Sequence, residues 1–280
     1  MSKVALITGT STGIGLSTAI LLARSGFTVV ATMRDPGKAD ALRERARKEG
    51  VTIDVRQLDV CDQASVDACV GATLGAHGHI DVLVNNAGAG RLGTTEQLTM
   101  GAVQATFDVN FFGVWRVTQA VLPGMREARS GRILSVSSIG GLLGQPFNDA
   151  YCAAKFAVEG MMESLATVAA QLGIHVSLIE PGPVHTEFVA SVRAAHGDAA
   201  PDAYQPLLEA YLGNTMARFS NAGQTGDDIA RVILEAATAE APHLRYVTSA
   251  MVQGLAGRKY VDTTGDSIVA MMTAAAFAKV

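Results

Sequence analysis

The sequence predicts an α/β protein: a doubly wound, Rossmann-type parallel sheet with helices on both faces. Three observations carry this. Val4-Ala5-Leu6-Ile7 is apolar at every position, as a strand buried on both faces requires. A glycine-rich turn, Thr8 to Gly15, follows it and leads into a helical stretch, Leu16 to Ser25. The alternation then repeats. Strand-like runs at 27–32, 51–58, 81–84, 132–137 and 173–180 alternate with helical patterns at 39–49, 64–74 and 103–119, and from 151 onward. The 280 residues read as one domain, 1–280, with a helical insertion near 190–220. Beyond it, 226–280 holds C-terminal helices and a last strand, 244–248.

Composition narrows the class. Apolar residues make up 49%, charged residues 17%, and the net charge is −4, which leaves no electrostatic footprint for nucleic acid. Cys61, Cys69 and Cys152 lack metal-ligand spacing and read as reduced thiols of a cytoplasmic protein. The chain enters a strand at once, which leaves no room for a signal peptide. The apolar stretch Ser267 to Ala278 is too short to span a bilayer. It reads as a buried or subunit-contacting helix, so no membrane anchor is expected.

The glycine-rich turn is the first candidate site. A strand, a tight turn and a helix N-terminus together present free backbone N–H groups and a helix dipole to a phosphate. Gly9, Ser11, Thr12, Gly13, Ile14 and Gly15 are therefore the candidate pyrophosphate cradle of a dinucleotide. The end of the second strand chooses between dinucleotides. A carboxylate there would hydrogen-bond the adenosine ribose, whereas an arginine would pair with a 2′-phosphate. Met33 and Arg34 stand at that position, with Asp35 after them, so NADP(H) is expected over NAD(H). Ser11 can add a hydroxyl to the same phosphate. Asp59, at the third strand's end, can accept from an adenine amino group or cap the next helix. Asn86-Ala87-Gly88 closes the fourth strand with small residues over which a cofactor can lie.

The second candidate site spans Ser135 to Lys155. Tyr151 and Lys155 are four apart on a helix and so share a face. A cation beside a phenol lowers the phenol's pKa, which makes Tyr151 a usable acid or base near neutral pH. Ser138 arrives at the end of the fifth strand. Asn110 sits mid-helix, where its amide competes for backbone groups. It is either a satisfied core amide or the mark of a helix distortion that offers a polar group to an ordered water. Pro181-Gly182-Pro183 makes a rigid turn after the sixth strand, facing the reacting end of a cofactor. His185 follows, but the Tyr–Lys pair already fills the acid–base role.

With TGTSTGIG (8–15), NNAG (85–88), Asn110, Ser138, Tyr151-Cys-Ala-Ala-Lys155 and Pro181-Gly182 in this order, the chain resembles a short-chain dehydrogenase/reductase. SSIGGLLGQPFNDAYCAAKFAVEGMMESLA and SLIEPGPVHTEF resemble the branch that holds type 1 17β-hydroxysteroid dehydrogenase and the photoreceptor retinol dehydrogenases. The local match runs to about Phe188 and is patchy beyond. The resemblance implies that Tyr151 exchanges a proton with the substrate oxygen, Ser138 hydrogen-bonds that oxygen, Lys155 holds the nicotinamide ribose and Asn110 orders a water. It further implies that Val60, Asn86, Ala87, Gly88, Pro181, Gly182, Val184 and Thr186 line the cofactor, and that the chain forms a homodimer or homotetramer. Leu143, Phe147, Pro183 and Phe188 offer apolar walls to a bulky, steroid-like or retinoid-like alcohol or ketone. The stretch 190–225 reads as a lid over it. The competing reading is a catalytically silent, NADP(H)-binding redox sensor.

Overall fold

The computed structural model describes residues 2–185, 202–259, 261, 264 and 266–277. Thr186, Phe188 and the first part of the expected lid, 190–201, lie outside the described residues. Seven parallel strands form one sheet: β1 (Val4–Ile7), β2 (Thr28–Met33), β3 (Asp54–Gln57), β4 (Val82–Asn85), β5 (Gly131–Val136), β6 (Ile174–Glu180) and, after the two-residue strands β7 (Val184–His185) and β8 (Gln224–Thr225), β9 (Arg245–Val247). The order is β3-β2-β1-β4-β5-β6-β9, with β7 and β8 paired apart from it. The sheet reverses its winding between β1 and β4, which pair through Leu6 and Leu83. Ligands of open α/β sheets bind beyond the strand ends at such a switch point.

Full apolarity of β1 has a direct cause. Ala5 and Ile7 pack into one core with α1 (Gly13–Arg24), α2 (Asp40–Glu49) and α8 (Gly226–Thr238). Val4 and Leu6 point to the other face, into a core with α3 (Gln63–His77), α5 (Gly113–Ala128) and α6 (Asp149–Ala170). Alternate residues of one strand thus serve two cores, so no position is left for a polar residue.

Two expected elements differ. Strand 51–58 is shorter, Asp54–Gln57, because β3 is an edge strand held only by β2 through Val30 to Met33. The long helix expected at 103–119 is interrupted. It runs as α4 (Met100–Phe107), a π-helical turn at Asp108–Phe112, and then α5. Beyond residue 202 the chain forms α7 (Gln205–Ala222), α8, α9 (Ala250–Lys259) and α10 (Asp266–Phe277). The α8 start carries a capping box between Thr225 and Asp228, which satisfies N–H groups left free at a helix end.

Candidate active site

The glycine-rich turn is tied to the end of β4. Asn86 donates its side-chain amide to the carbonyls of Thr8 and Gly9, each at 2.9 Å. Thr8 Oγ1 accepts from the backbone N–H groups of Asn86 and Ala87 at 3.0 Å. The loops beyond β1 and β4 are thereby locked together, and the Asn86 amide is committed to protein rather than to a ligand. Gly9 has φ +70°, and a Cβ there would lie 2.8 Å from Ala87 Cα. A Cβ on Gly15 would strike Gly9 O and the Asn86 amide. Neither position accepts any other residue without a shift.

At the start of α1, Thr12 has an extended backbone and its side chain caps none of the first N–H groups. These are the donors that a helix N-terminus offers to an anion. Gly9, Ser11, Thr12, Gly13, Ile14 and Gly15 thus form a cradle that fits a pyrophosphate. Along the sheet, the exposed Arg34 and the half-buried Asp59 line a cleft of about 530 Å³ with Arg56, Gln57, Asp62 and Ser65. Asp35 is turned away from this choice, because its Oδ1 accepts from Gly37 N at 2.9 Å in a tight turn. The helix cap after β3 is Asp62, which accepts from Ala64 N at 3.0 Å. Asp59 instead accepts from Cys61 N at 3.0 Å and stays in the cleft. Val60 packs below, against Gly113, and its carbonyl accepts from Arg116 at 3.1 Å.

Ser138, Tyr151, Lys155 and Asn110 come from three elements and meet beyond the ends of β4 and β5. Ser138 lies two residues beyond β5 and starts a 3₁₀ turn, Ile139–Gly141, by accepting from Gly140 N at 3.0 Å. Tyr151 lies in the first turn of α6, buried, and shares a hydrogen bond with Ser138. Lys155, one turn on and also buried, donates to Val136 O at 2.8 Å. Its Nζ is 5.8 Å from the centre of the Tyr151 ring. Gly88 leaves room for this group: a Cβ there would lie 2.9 Å from Asn110 Oδ1 and 3.8 Å from Lys155 Nζ.

The electrostatics correct one expectation. Burial pushes the Tyr151 phenol up to about 12, against the pull of the Ser138 hydrogen bond. Burial pushes Lys155 down to about 8, and Glu159 opposes this. The phenol is not brought toward neutrality here, since the cost of removing a phenolate from water outweighs the Ser138 hydrogen bond. Across the neutral range the phenol therefore holds its proton and is ready to donate it.

Asn110 is fully buried in the π-helical turn. Its amide donates to Ala89 O at 2.7 Å and to Thr106 O at 2.9 Å, and its Oδ1 accepts from Ala89 N at 3.2 Å. In an α-helix the Thr106 carbonyl would be taken by the backbone N–H of residue 110. Here the Asn110 side chain donates to that carbonyl, which stabilises the helix distortion, and its bonds with Ala89 tie the turn to the loop after Gly88. The Asn110 side-chain amide and carbonyl thus both have protein partners.

Toward the substrate side, Pro181 O accepts from Ile139 N at 2.8 Å, and Pro183 O accepts from Gln224 N at 2.9 Å. Gly182 packs on α9, where a Cβ would meet Val252 Cγ2 at 2.6 Å. Val184 is buried in β7, and His185 beside it is exposed. Leu143 and Phe147, both expected to offer apolar walls, lie in separate small cores. Leu143 packs with Ile139, Leu142 and Val252. Phe147, whose φ is +60°, packs with Leu92 and Leu208, and its ring centre is 5.8 Å from that of Tyr211 on α7. Tyr204 donates to Glu96 at 2.6 Å, and Asn148 donates to Tyr211 at 2.9 Å. Helix α7 is thus laid over Phe147. Sequence reasoning missed Glu159, Glu180 and Arg245, charged groups packed behind Lys155. The available signal was Glu159, one helical turn beyond Lys155.

Comparison with known proteins agrees with this geometry. A family model described as short chain dehydrogenase matches residues 3–197. Retinol dehydrogenase 8 of Bos taurus is 43% identical over 276 residues, covering 95% of this chain and 88% of that protein. Human 17-beta-hydroxysteroid dehydrogenase type 1 is 41% identical over 279 residues, covering 96% and 84%. A short chain dehydrogenase/reductase from Burkholderia phymatum in complex with NAD has a TM-score of 0.82 at 26% identity, covering 95% of each chain. A metagenomic short-chain oxidoreductase in complex with NADP has a TM-score of 0.71 at 28% identity, covering 88% of this chain and 97% of the other. The chain belongs to the short-chain dehydrogenase family, in the branch of these retinol and hydroxysteroid dehydrogenases, and is an oxidoreductase acting on CH–OH groups.

Proposed function

We propose that this oxidoreductase uses NADP(H) in preference to NAD(H) and interconverts a bulky apolar alcohol with its ketone or aldehyde. The observation that carries the reading is the meeting of Ser138, Tyr151, Lys155 and Asn110 beside the glycine cradle. When bound, the nicotinamide supplies or accepts the hydride. The chain's own residues do the rest. Tyr151 gives its phenolic proton to the carbonyl oxygen in reduction and takes it back in oxidation. Ser138 donates to the same oxygen and stabilises charge that develops there. Lys155 holds the ribose hydroxyls and supplies positive charge beside the phenol. Asn110 keeps the π-helical turn open, so that helix backbone can hold a water between Lys155 and solvent.

Arg34, with Asp35 turned into its own loop, supports the 2′-phosphate preference. The apolar side chains around Leu143, Phe147 and Pro183, with Tyr204 just before α7 and Tyr211 on it, support a bulky substrate. The printed activities of the retinol and steroid relatives point the same way. A silent sensor is not favoured, because nucleotide binding alone does not call for a buried phenol bonded to a serine at the end of β5. No helix among the described residues is long and apolar enough to cross a membrane. Phe112, Trp115 and Phe156 are exposed large apolar side chains on the π-helical turn, α5 and α6. They support assembly as a homodimer or homotetramer, which light scattering would report.

The test is a cofactor-oxidation screen. NADPH and NADH are each offered with steroid ketones, retinal, and small aliphatic and aromatic ketones. Consumption of NADPH with a bulky apolar carbonyl is expected. Turnover confined to small polar carbonyls, or equal use of NADH, would overturn the finer reading.

A further inference from the structure

Behind Lys155 lies a cluster of charge that the proposed reaction does not use. Glu159 follows Lys155 by one turn of α6 and is buried, with a side-chain exposure of 7%. Arg245, on β9, donates its single Nε hydrogen to Glu159 Oε2 at 3.2 Å. The same Nε is 3.2 Å from Glu180 Oε1, and Nη2 is 2.6 Å from Glu163 Oε2. Glu180, the last residue of β6, is wholly buried, and neither of its oxygens has a hydrogen-bond partner. Its contact with Arg245 is an ion pair without an aligned hydrogen bond, because the Nε hydrogen is given to Glu159. On the other side, Ser137 and Glu159 converge on Gly141, where a Cβ would lie 2.6 Å from Ser137 Oγ and 3.1 Å from Glu159 Cγ. Lys259 of α9 also feels the Glu159 charge. Around Lys155 itself stand Tyr151, Asn110 and the carbonyl of Val136.

We infer that Glu159 is a positioning residue: held by Arg245 one helical turn beyond Lys155 on α6, it keeps the buried lysine charged. Glu180 tunes this effect by competing for the same guanidinium. The chemistry is consistent from both ends. Burial opposes charge on Lys155 and Glu159 alike, and each favours the charged form of the other. Burial and the Glu159 charge push Glu180 up to about 7, so near neutrality it holds a proton for much of the time and leaves Arg245 to Glu159. A protonated lysine is the form that supports a phenol-to-carbonyl proton transfer.

The inference rests on Lys155 being the partner of Tyr151, so its test does not depend on turnover. The chain has six lysines, few enough for titration of 13Cε-lysine signals by NMR, with Lys155 assigned by loss of its signal in Lys155→Arg. In Glu159→Gln the Lys155 midpoint should fall by on the order of one pH unit, the lower end of what losing an opposite charge one helical turn away is worth. Glu159→Asp, which keeps the charge one methylene further back, should fall less. Glu163→Gln, which removes a carboxylate from the same arginine on its exposed side, should move the midpoint least. An unmoved midpoint in both Glu159 variants would overturn the inference. So would a Glu163→Gln shift as large as that of Glu159→Gln. With a working substrate, the alkaline limb of the rate profile should move to lower pH in Glu159→Gln and partly return in Glu159→Asp. A moved midpoint in a protein that reduces no carbonyl would leave the inference standing and remove the proposed reaction. Turnover with an unmoved midpoint would do the reverse.

Discussion

Replacing Asn110 by alanine should destabilise the protein by about 3 kcal/mol. The side chain makes three buried hydrogen bonds, to Ala89 O, Thr106 O and Ala89 N. A typical buried hydrogen bond contributes roughly 1 kcal/mol net, and stranded partners cost more where water cannot reach them. Three at about that value correspond to roughly a hundredfold change in the ratio of folded to unfolded chain. The loss falls on both the π-helical turn and the loop that starts at Gly88. Urea unfolding at fixed protein concentration can measure it through Trp115, the one tryptophan, whose ring centre is 6.1 Å from that of Phe111 in the same turn. Asn110→Asp is the sharper variant. It keeps the shape but turns a charged oxygen toward two carbonyls, so it should lose at least as much at neutral pH. If both variants unfold within about 1 kcal/mol of wild type, the side chain is not what stabilises the turn.

Other consequences follow from the same geometry. Arg34→Ala should cut NADPH efficiency by about tenfold or more while leaving NADH nearly unchanged, since a hydrogen bond to a charged group is worth about 1.5–3 kcal/mol. An unchanged NADPH preference in steady-state kinetics would remove Arg34 from the choice. Gly15→Ala should weaken NADPH binding in a calorimetric titration and lower Tm, because the added methyl strikes Gly9 O and the Asn86 amide. The Glu180 carboxyl, raised from 4.5 to about 7 first by burial and then by Glu159, binds its proton more tightly folded than unfolded. Its contribution to stability is full below the unfolded value and is lost as pH rises through about 7. Wild type should therefore lose stability between pH 5 and 8, and Glu180→Gln should flatten that fall; equal slopes in denaturant titrations would contradict the shift.

The parts of this molecule that follow local rules were legible in its sequence. The β1 run could only be a strand with a core on each face. The glycines at 9 and 15 read as a tight turn with close approach of backbone, and the structure places Ala87 and Gly9 O against them. Tyr151 and Lys155 share a face because helical spacing puts them there. Asn110 was recognisable as an anomaly within a helix, but its resolution was not. The π-helical turn depends on Ala89, twenty-one residues away, accepting and donating to the same amide. The shift of Tyr151 away from neutrality was likewise hidden, since it depends on burial that a spacing argument does not see. Glu159 was legible only as a carboxylate one helical turn beyond Lys155; its meeting with Glu180 and Arg245 was not, because α6, β6 and β9 bring the three together, Glu159 and Arg245 across 86 residues of chain. Leu143 and Phe147 are close in sequence, yet the 3₁₀ turn and the left-handed backbone at Phe147 send them into different cores.

The central claim is that Tyr151 moves the proton while the nicotinamide carries the hydride. The most direct measurement pairs a fluorescence titration of NADPH with the rate of NADPH oxidation, in wild type and in Tyr151→Phe, on whichever carbonyl the screen selects. Losing a positioned general acid should lower the rate by about 10²–10⁴-fold, with NADPH affinity nearly unchanged. Near-normal turnover in Tyr151→Phe would contradict the account outright.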